Sequence, residues 1–194
     1  MMKKHWSTIR LAGIVIVAGL ISCSEAVKPG AGRAASHAKS ASDWILGVAV
    51  KINFQKSDSA TPPGYLADEG DAFGDRENGF SYGWNVDNTD VSRDRNSAES
   101  EDPRFHTFNH LQKDDENPAV WEIELPTGVY SVHLVAGDPE HENQVNTFDL
   151  EGQLLTDPDG EDSFDEYKVT VQVSNGRLTL QPGQDAENAT VAFI

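Results

Sequence analysis

The feature that most limits the fold of this chain is a strict two-residue alternation of apolar and polar side chains. In "WEIELPTGVYSVHLVAGD" (121–138), Trp121, Ile123 and Leu125 alternate with Glu122 and Glu124, and after Pro126-Thr127-Gly128 the series Tyr130, Val132, Leu134, Ala136 takes over. A period of two puts these residues on one face of an extended chain. The segment therefore predicts two half-buried strands joined by a tight turn, a β-hairpin. "YKVTVQVSNGRLTL" repeats the device: Tyr167, Val169, Val171 and Val173 point one way, and Asn175-Gly176 suits the positive φ angles of a type I′ turn. Shorter strand candidates are Leu46 to Phe54, Phe80 to Trp84, Phe105 to Phe108, Val145 to Leu150 and Ala189 to Ile194. No segment carries a convincing helical period. Eight or more short strands with turn signals between them predict an all-β sandwich or barrel.

The first 22 of the 194 residues stand apart from this pattern. Lys3, Lys4 and Arg10 precede the apolar run "LAGIVIVAGLI" (11–21), which is too short to span a bilayer, where about 20 residues are needed. This is the layout of a secretory signal peptide. Cys23, the single cysteine, follows "LIS" directly, and "L-I-S-C" resembles the bacterial lipobox. That resemblance implies cleavage before Cys23 and a diacylglycerol on its thiol. Ser24 next to it, rather than Asp, implies export onward to an outer membrane or cell surface. The expected organisation is a signal peptide over 1–22, a lipidated Cys23 with a small, polar tether over 23–43, and one β-sandwich domain over 44–194.

Three of the 15 Lys and Arg residues leave with the signal, so 12 positive charges face 32 negative ones and the mature chain carries −20. Such a surface repels nucleic acid and anionic headgroups, so no nucleic-acid partner is expected and the membrane is met through the Cys23 lipid alone.

"VKINFQ" (50–55), "PPGYLADEGDAF" (62–73), "WEIELPTGVYSVHLVAGDP" (121–139), "TFDLEGQLL" (147–155) and "VTVQVSNGRLTL" (169–180) come in an order that resembles the malectin-like and galactose-binding-like carbohydrate-binding modules. The likeness is to versions attached to bacterial pectin- and rhamnogalacturonan-degrading enzymes, with the "lP-x-G-x-Y-x-V-x-L" pattern its most specific part. It implies a jelly-roll β-sandwich that binds glycans, often with a structural Ca²⁺. In malectin itself glycines follow the first strand; here Phe54 and Gln55 follow Asn53, so malectin's own sugar contacts do not carry over.

The densest set of ligand-type side chains is "GFSYGWNVDNTDVSRDRN" (79–96). Tyr82 and Trp84, two apart on a strand, share a face; exposed they would form a platform for a sugar ring, buried they are core. Asn85 stands beside them as a further ligand candidate; Arg93 and Arg95 could fork onto hydroxyls or a uronate, with Asp94 and Asn96 fixing them or accepting from hydroxyls, or could brace the loop against acidic neighbours. Tyr65, in the loop with Asp68, Glu69 and Asp71, is a second stacking candidate or a half-buried anchor, and the three acids are oxygen ligands of the type Ca²⁺ takes. Asp138 closes the long strand, where related modules often place an acid, although Gly-Asp-Pro is also a good turn.

"TDPDGED" (156–162) lacks the spacing of an EF-hand loop. His106 and His110 would lie about 13 Å apart on a strand, too far for a shared metal. Nucleophile-elbow, phosphate-loop and zinc-protease patterns are absent, so no enzyme activity and no catalytic residues are expected. The leading expectation is non-catalytic binding of a polysaccharide. The alternative is an envelope module that uses the same sandwich to dock a protein and has no sugar ligand.

Overall fold

The computed structural model describes residues 49–98, 100–113, 118–157 and 162–194. The expected signal peptide, Cys23, the tether, the start of the first strand candidate at Leu46 and most of the acidic 156–162 run lie outside the described residues. The strands, in chain order, are β1 (Ile52–Phe54), β2 (Leu66–Asp68), β3 (Gly74–Asp75), β4 (Ser81–Trp84), β5 (Ser92–Asp94), β6 (Thr107–His110), β7 (Trp121–Glu124), β8 (Gly128–Gly137), β9 (Phe148–Leu150), β10 (Gln153–Leu155), β11 (Phe164–Val173), β12 (Arg177–Pro182) and β13 (Thr190–Val191).

The architecture is all-β and layered. One layer is a six-stranded sheet in the order β10-β9-β12-β7-β4-β3. The other is assembled from the parallel pair β1-β2 and the antiparallel pair β11-β8, joined by the last residues of the chain. Phe193 bridges both Asn53 and Val135 in antiparallel fashion, and Ile52 and Ile194 exchange both backbone hydrogen bonds (2.8 and 2.9 Å). The strand order of this layer is thus β2-β1-(192–194)-β8-β11. β13 leads into it from a short sheet, β13-β6-β5. The main core lies between the layers, with Phe54, Trp84, Trp121, Leu134, Phe148, Leu150 and Leu180 all fully buried.

The two expected hairpins are absent. β7 pairs with β12 and β4, whereas β8 pairs with β11 along ten residues from Gly128↔Val173 to Gly137↔Phe164. The chain therefore crosses from one layer to the other at Pro126-Thr127-Gly128, and crosses back between Val173 and Arg177. The crossings are stacked and tied together: Leu125 N donates to Gly176 O (3.0 Å), Gln172 Nε2 to Gly128 O (3.0 Å), and Tyr130 Oη back to Pro126 O (2.7 Å). Gly176 has a positive φ of 90° but Asn175 does not, which excludes a type I′ turn. Alternation predicted the buried faces correctly, because Trp121 and Ile123 still meet Tyr130, Val132 and Leu134. They meet across the core rather than side by side in one sheet.

Candidate functional site

The 79–96 stretch is divided by the fold. β4 lies inside the six-stranded sheet, with Tyr82 opposite Ile123 and Trp84 opposite Trp121. Tyr82 is 1% exposed and Trp84 0%. Their polar ends are satisfied internally: Tyr82 Oη donates to Ala67 O (2.7 Å) and Trp84 Nε1 to Asp68 Oδ1 (2.7 Å). Neither ring is a platform for a sugar; both are core, and the expectation that they bind ligand is corrected. Gly83 between them has φ +133°, and a Cβ there would fall 2.3 Å from the Arg76 guanidinium, which crosses the strand to reach the carbonyls of Asp71 and Ala72. The glycine is needed for that crossing.

Asp68 sits at the centre of this region. Its carboxyl also accepts from Trp121 Nε1 (2.8 Å) and from Gly70 N (2.9 Å), and Phe54 packs edge-on against both indoles. Burial pushes its pKa up from the ordinary carboxylate value, while the two indoles and Gly70 oppose the rise. The sequence placed Asp68 in an acidic loop; the structure makes it a satisfied polar post between the layers.

The remaining residues of the stretch are braces. Asn85 exchanges two bonds with Val120, its Oδ1 accepting from Val120 N and its N–H donating to Val120 O (both 2.9 Å). Arg93 Nη1 donates to the carbonyls of Asp90 and Ser92, closing its own turn. Arg95 forms a forked pair with Asp138 (Nε–Oδ1 3.0 Å, Nη2–Oδ2 2.6 Å) and lies over the Phe108 ring. Asp138 is 1% exposed and is presented by Gly137, where a Cβ would fall 2.1 Å from Ser163 O. Of the expected ligand set, the structure thus brings Arg95 and Asp138 together, and uses each to neutralise the other. The hydrogen bonds that Arg95 donates to Asp138 raise its pKa further.

Tyr65 is the candidate ring left at the surface. It is half-buried on the outer face of the β2-β1-(192–194)-β8-β11 layer, edge-on to Phe193 (5.9 Å). Lys51 Nζ lies 5.6 Å from its centroid, and Arg104 Nη1 donates to its hydroxyl (3.3 Å). Arg104 stacks over Phe193 (5.0 Å) and Phe105 (5.8 Å) while Asp102 holds its other edge through a forked pair. Asp102 is pushed up by burial, but the bonds from Arg104 outweigh this and keep its carboxyl below the usual range. His133 packs edge-on to Phe193 (5.8 Å), and its Nε2 lies 2.6 Å from Glu166 Oε1. Burial lowers the His133 pKa against the pull of Glu166. Sequence reasoning missed Arg104, His133 and Lys51. His133 alternates out of the core on β8, whereas Arg104 lies in the single turn Pro103–Phe105 and Lys51 just before β1; their convergence requires the C-terminal segment to bring Phe193 between β1 and β8.

The expected oxygen ligands do not converge on a cation. Asp68 faces indoles; Glu69 and Asp71 border a cavity with Lys56, Ser57 and Thr89, and Asp71 lies 3.8 Å from Arg76. Among the described residues no group of three or more His, Cys, Asp or Glu side chains is placed to hold a metal. His106 and His110 are separated in role: the former has Nε2 at 2.8 Å from Ser100 O, and the latter is buried.

No protein-family profile and no curated protein matches the chain. The crystal structure of the protein YxiM from Bacillus subtilis is similar, with a TM-score of 0.52 at 20% identity, over 74% of this chain and 38% of YxiM. The chain thus spans well under half of YxiM. At this identity the likeness concerns the fold alone, and it agrees with a layered all-β sandwich.

Proposed function

We propose that the domain is a non-catalytic carbohydrate-binding module of the malectin-like, galactose-binding-like jelly-roll type, held to an outer membrane or cell surface by a lipid on Cys23. The observation that carries the binding reading is the Tyr65 ring. It is fixed at the surface by Arg104, which donates to its hydroxyl, and Lys51 lies over the ring, so an aromatic surface and two cationic donors stand together. A sugar ring stacks its C–H face on such a ring while its hydroxyls, or a uronate carboxylate, accept from the cations. Tyr65 replaces Tyr82 and Trp84 as the stacking residue. Arg93, Arg95, Asn85 and Asp138 act in this reading by shaping the loops at the end of the sandwich. A structural Ca²⁺ is not required by it, since Asp68 is held by two indoles and Asp71 lies beside Arg76.

Affinity electrophoresis of the soluble domain through gels containing pectic and other plant or algal polysaccharides tests the reading. Retardation that disappears in Tyr65→Ala, with an unchanged unfolding midpoint, is the expected result. Unretarded migration on the whole panel, with and without Ca²⁺, would sink it. A stoichiometric protein partner recovered from membranes and indifferent to sugars would then favour a docking module.

A further inference from the structure

The layer that carries Tyr65 has a cavity running through it. On β8, Val132 turns into the core and His133 out of it; at the start of β1, Ile52 is buried and Lys51 exposed. All four residues line one cavity of about 100 Å³. Among the described residues its floor is made by Trp121, Ile123 and Leu178 in the core, and Tyr65 stands at its outer rim. The ring assigned to sugar stacking therefore borders an opening into the apolar interior.

The chemistry of this cavity selects what enters it. Its polar side chains are at the rim, whereas indole, isoleucine and leucine form the floor. A sugar hydroxyl pushed to that floor loses water without gaining a partner, which is unfavourable. A short apolar group gains by the same move. Size narrows the choice: an apolar cavity of about 150 Å³ takes benzene, so about 100 Å³ takes roughly four heavy atoms. A methyl ester or an acetyl group has this size, and an aromatic acyl group does not. Charge points the same way. The chain carries −17, which repels a polyuronate at long range, whereas an ester is neutral.

We propose that this cavity is a subsite for a short ester, an O-acetyl or a methyl ester, carried by the sugar that stacks on Tyr65. The ester methyl enters between Val132 and Leu178. Its carbonyl oxygen stays at the rim and accepts from the Lys51 ammonium. The inference rests on the glycan reading and narrows it to an esterified polysaccharide.

Affinity electrophoresis of the full chain through acetylated glucomannan, before and after alkaline deacetylation, tests this without changing the charge of the gel. The acetylated form is expected to hold the protein about tenfold more tightly, as burial of one or two carbons implies. Methyl-esterified pectin free of acetyl groups, against the same pectin demethylated, identifies the other ester source; high salt screens the charge that demethylation uncovers. Val132→Phe, which fills the cavity, should abolish the preference for the esterified form. Equal retardation by esterified and ester-free forms in both pairs overturns the inference and leaves the glycan reading standing. Retardation by none of the gels defeats both. A preference that survives Val132→Phe also overturns the inference, because the ester is then recognised elsewhere. Should the variant fail to fold, nuclear Overhauser contacts from the ester methyl to Val132 or Leu178 in the wild type decide, and their absence counts against it.

Discussion

Two groups of aromatic rings in this protein are each organised around one charged side chain, and they do different work. Inside, Phe54, Trp84 and Trp121 surround Asp68, which accepts from both indoles and one backbone amide and is cut off from water. Outside, Tyr65, Phe105 and Phe193 surround Arg104, whose guanidinium lies on ring faces and stays about one third exposed. The inner acid is met by the N–H edges of the indoles, the outer cation by the faces of the two Phe rings and the hydroxyl of Tyr65. The contrast teaches that rings and a charge close together in sequence do not indicate a site. What matters is whether the charge still has water, and with it the ability to exchange one partner for another.

The sharpest way to break this contrast is at Asp68. Asp68→Ala leaves two indole N–H groups and the Gly70 N–H without acceptors inside the core, and is expected to cost about 3 to 5 kcal/mol in urea denaturation. Asp68→Asn, which keeps one acceptor oxygen, should cost roughly half of that. A loss under about 1 kcal/mol for the alanine variant would mean that the inner group is no more committed than the outer.

Next comes the brace between β5 and β8. Removing Arg95 with Asp138 still in place leaves a buried carboxylate unpaired, and Arg95→Ala should cost about 2 to 4 kcal/mol. Arg95→Ala/Asp138→Ala should cost less than the sum of the single losses, and a double-mutant cycle measures that coupling. Strict additivity would show that the forked pair is not coupled.

A pH titration of stability distinguishes the buried from the exposed groups in a third way. Burial lowers the His110 pKa from 6.5 to about 4, helped by Arg93 and Lys113 and opposed by Asp138 and Asn188. The unfolded chain therefore takes up this proton near pH 6.5 while the folded chain refuses it until about pH 4. The stability associated with neutral His110 is present above pH 6.5 and is lost as pH falls toward 4, by at most about 3 kcal/mol. His110→Gln should flatten the melting temperature across this window; an unchanged slope would refute the assignment. Asp68 works in the opposite sense, since a raised pKa favours the fold below the ordinary carboxylate value and less as pH rises above it.

The smallest effects on stability belong to the outer group. Arg104→Ala and Tyr65→Ala should each cost about 1 kcal/mol or less, because water replaces what is lost. Their binding to a polysaccharide gel, in contrast, should vanish. Equal losses of stability and retardation would place the outer rings with the inner ones.

Much of the fold was legible. The alternating apolar positions Trp121 to Leu125, Tyr130 to Ala136, Tyr167, Val171 and Val173 are buried as the period of two requires, with Val169 half-buried, and β4 falls where Phe80 to Trp84 were expected. The candidate site was less so. Tyr82 and Trp84 share a face as their spacing demands, yet that face is the core. Only pairing with β7, forty residues on in sequence, makes it so. Tyr65 had the weaker local signal and kept its surface, because Phe193 from the end of the chain packs beneath it.

By itself, then, the sequence determined an all-β chain and the buried face of each long strand, since these follow from local period. Only the tertiary structure decided which layer each strand joins, and hence that "LPTG" and "SNG" are crossings between sheets. A period of two states which way a side chain points but carries no record of the neighbour across the hydrogen bonds. That neighbour is chosen by long-range pairing, here β8 with β11 and β7 with β12, and the same choice assigned Trp84 and Trp121 to the core while Tyr65 kept a surface.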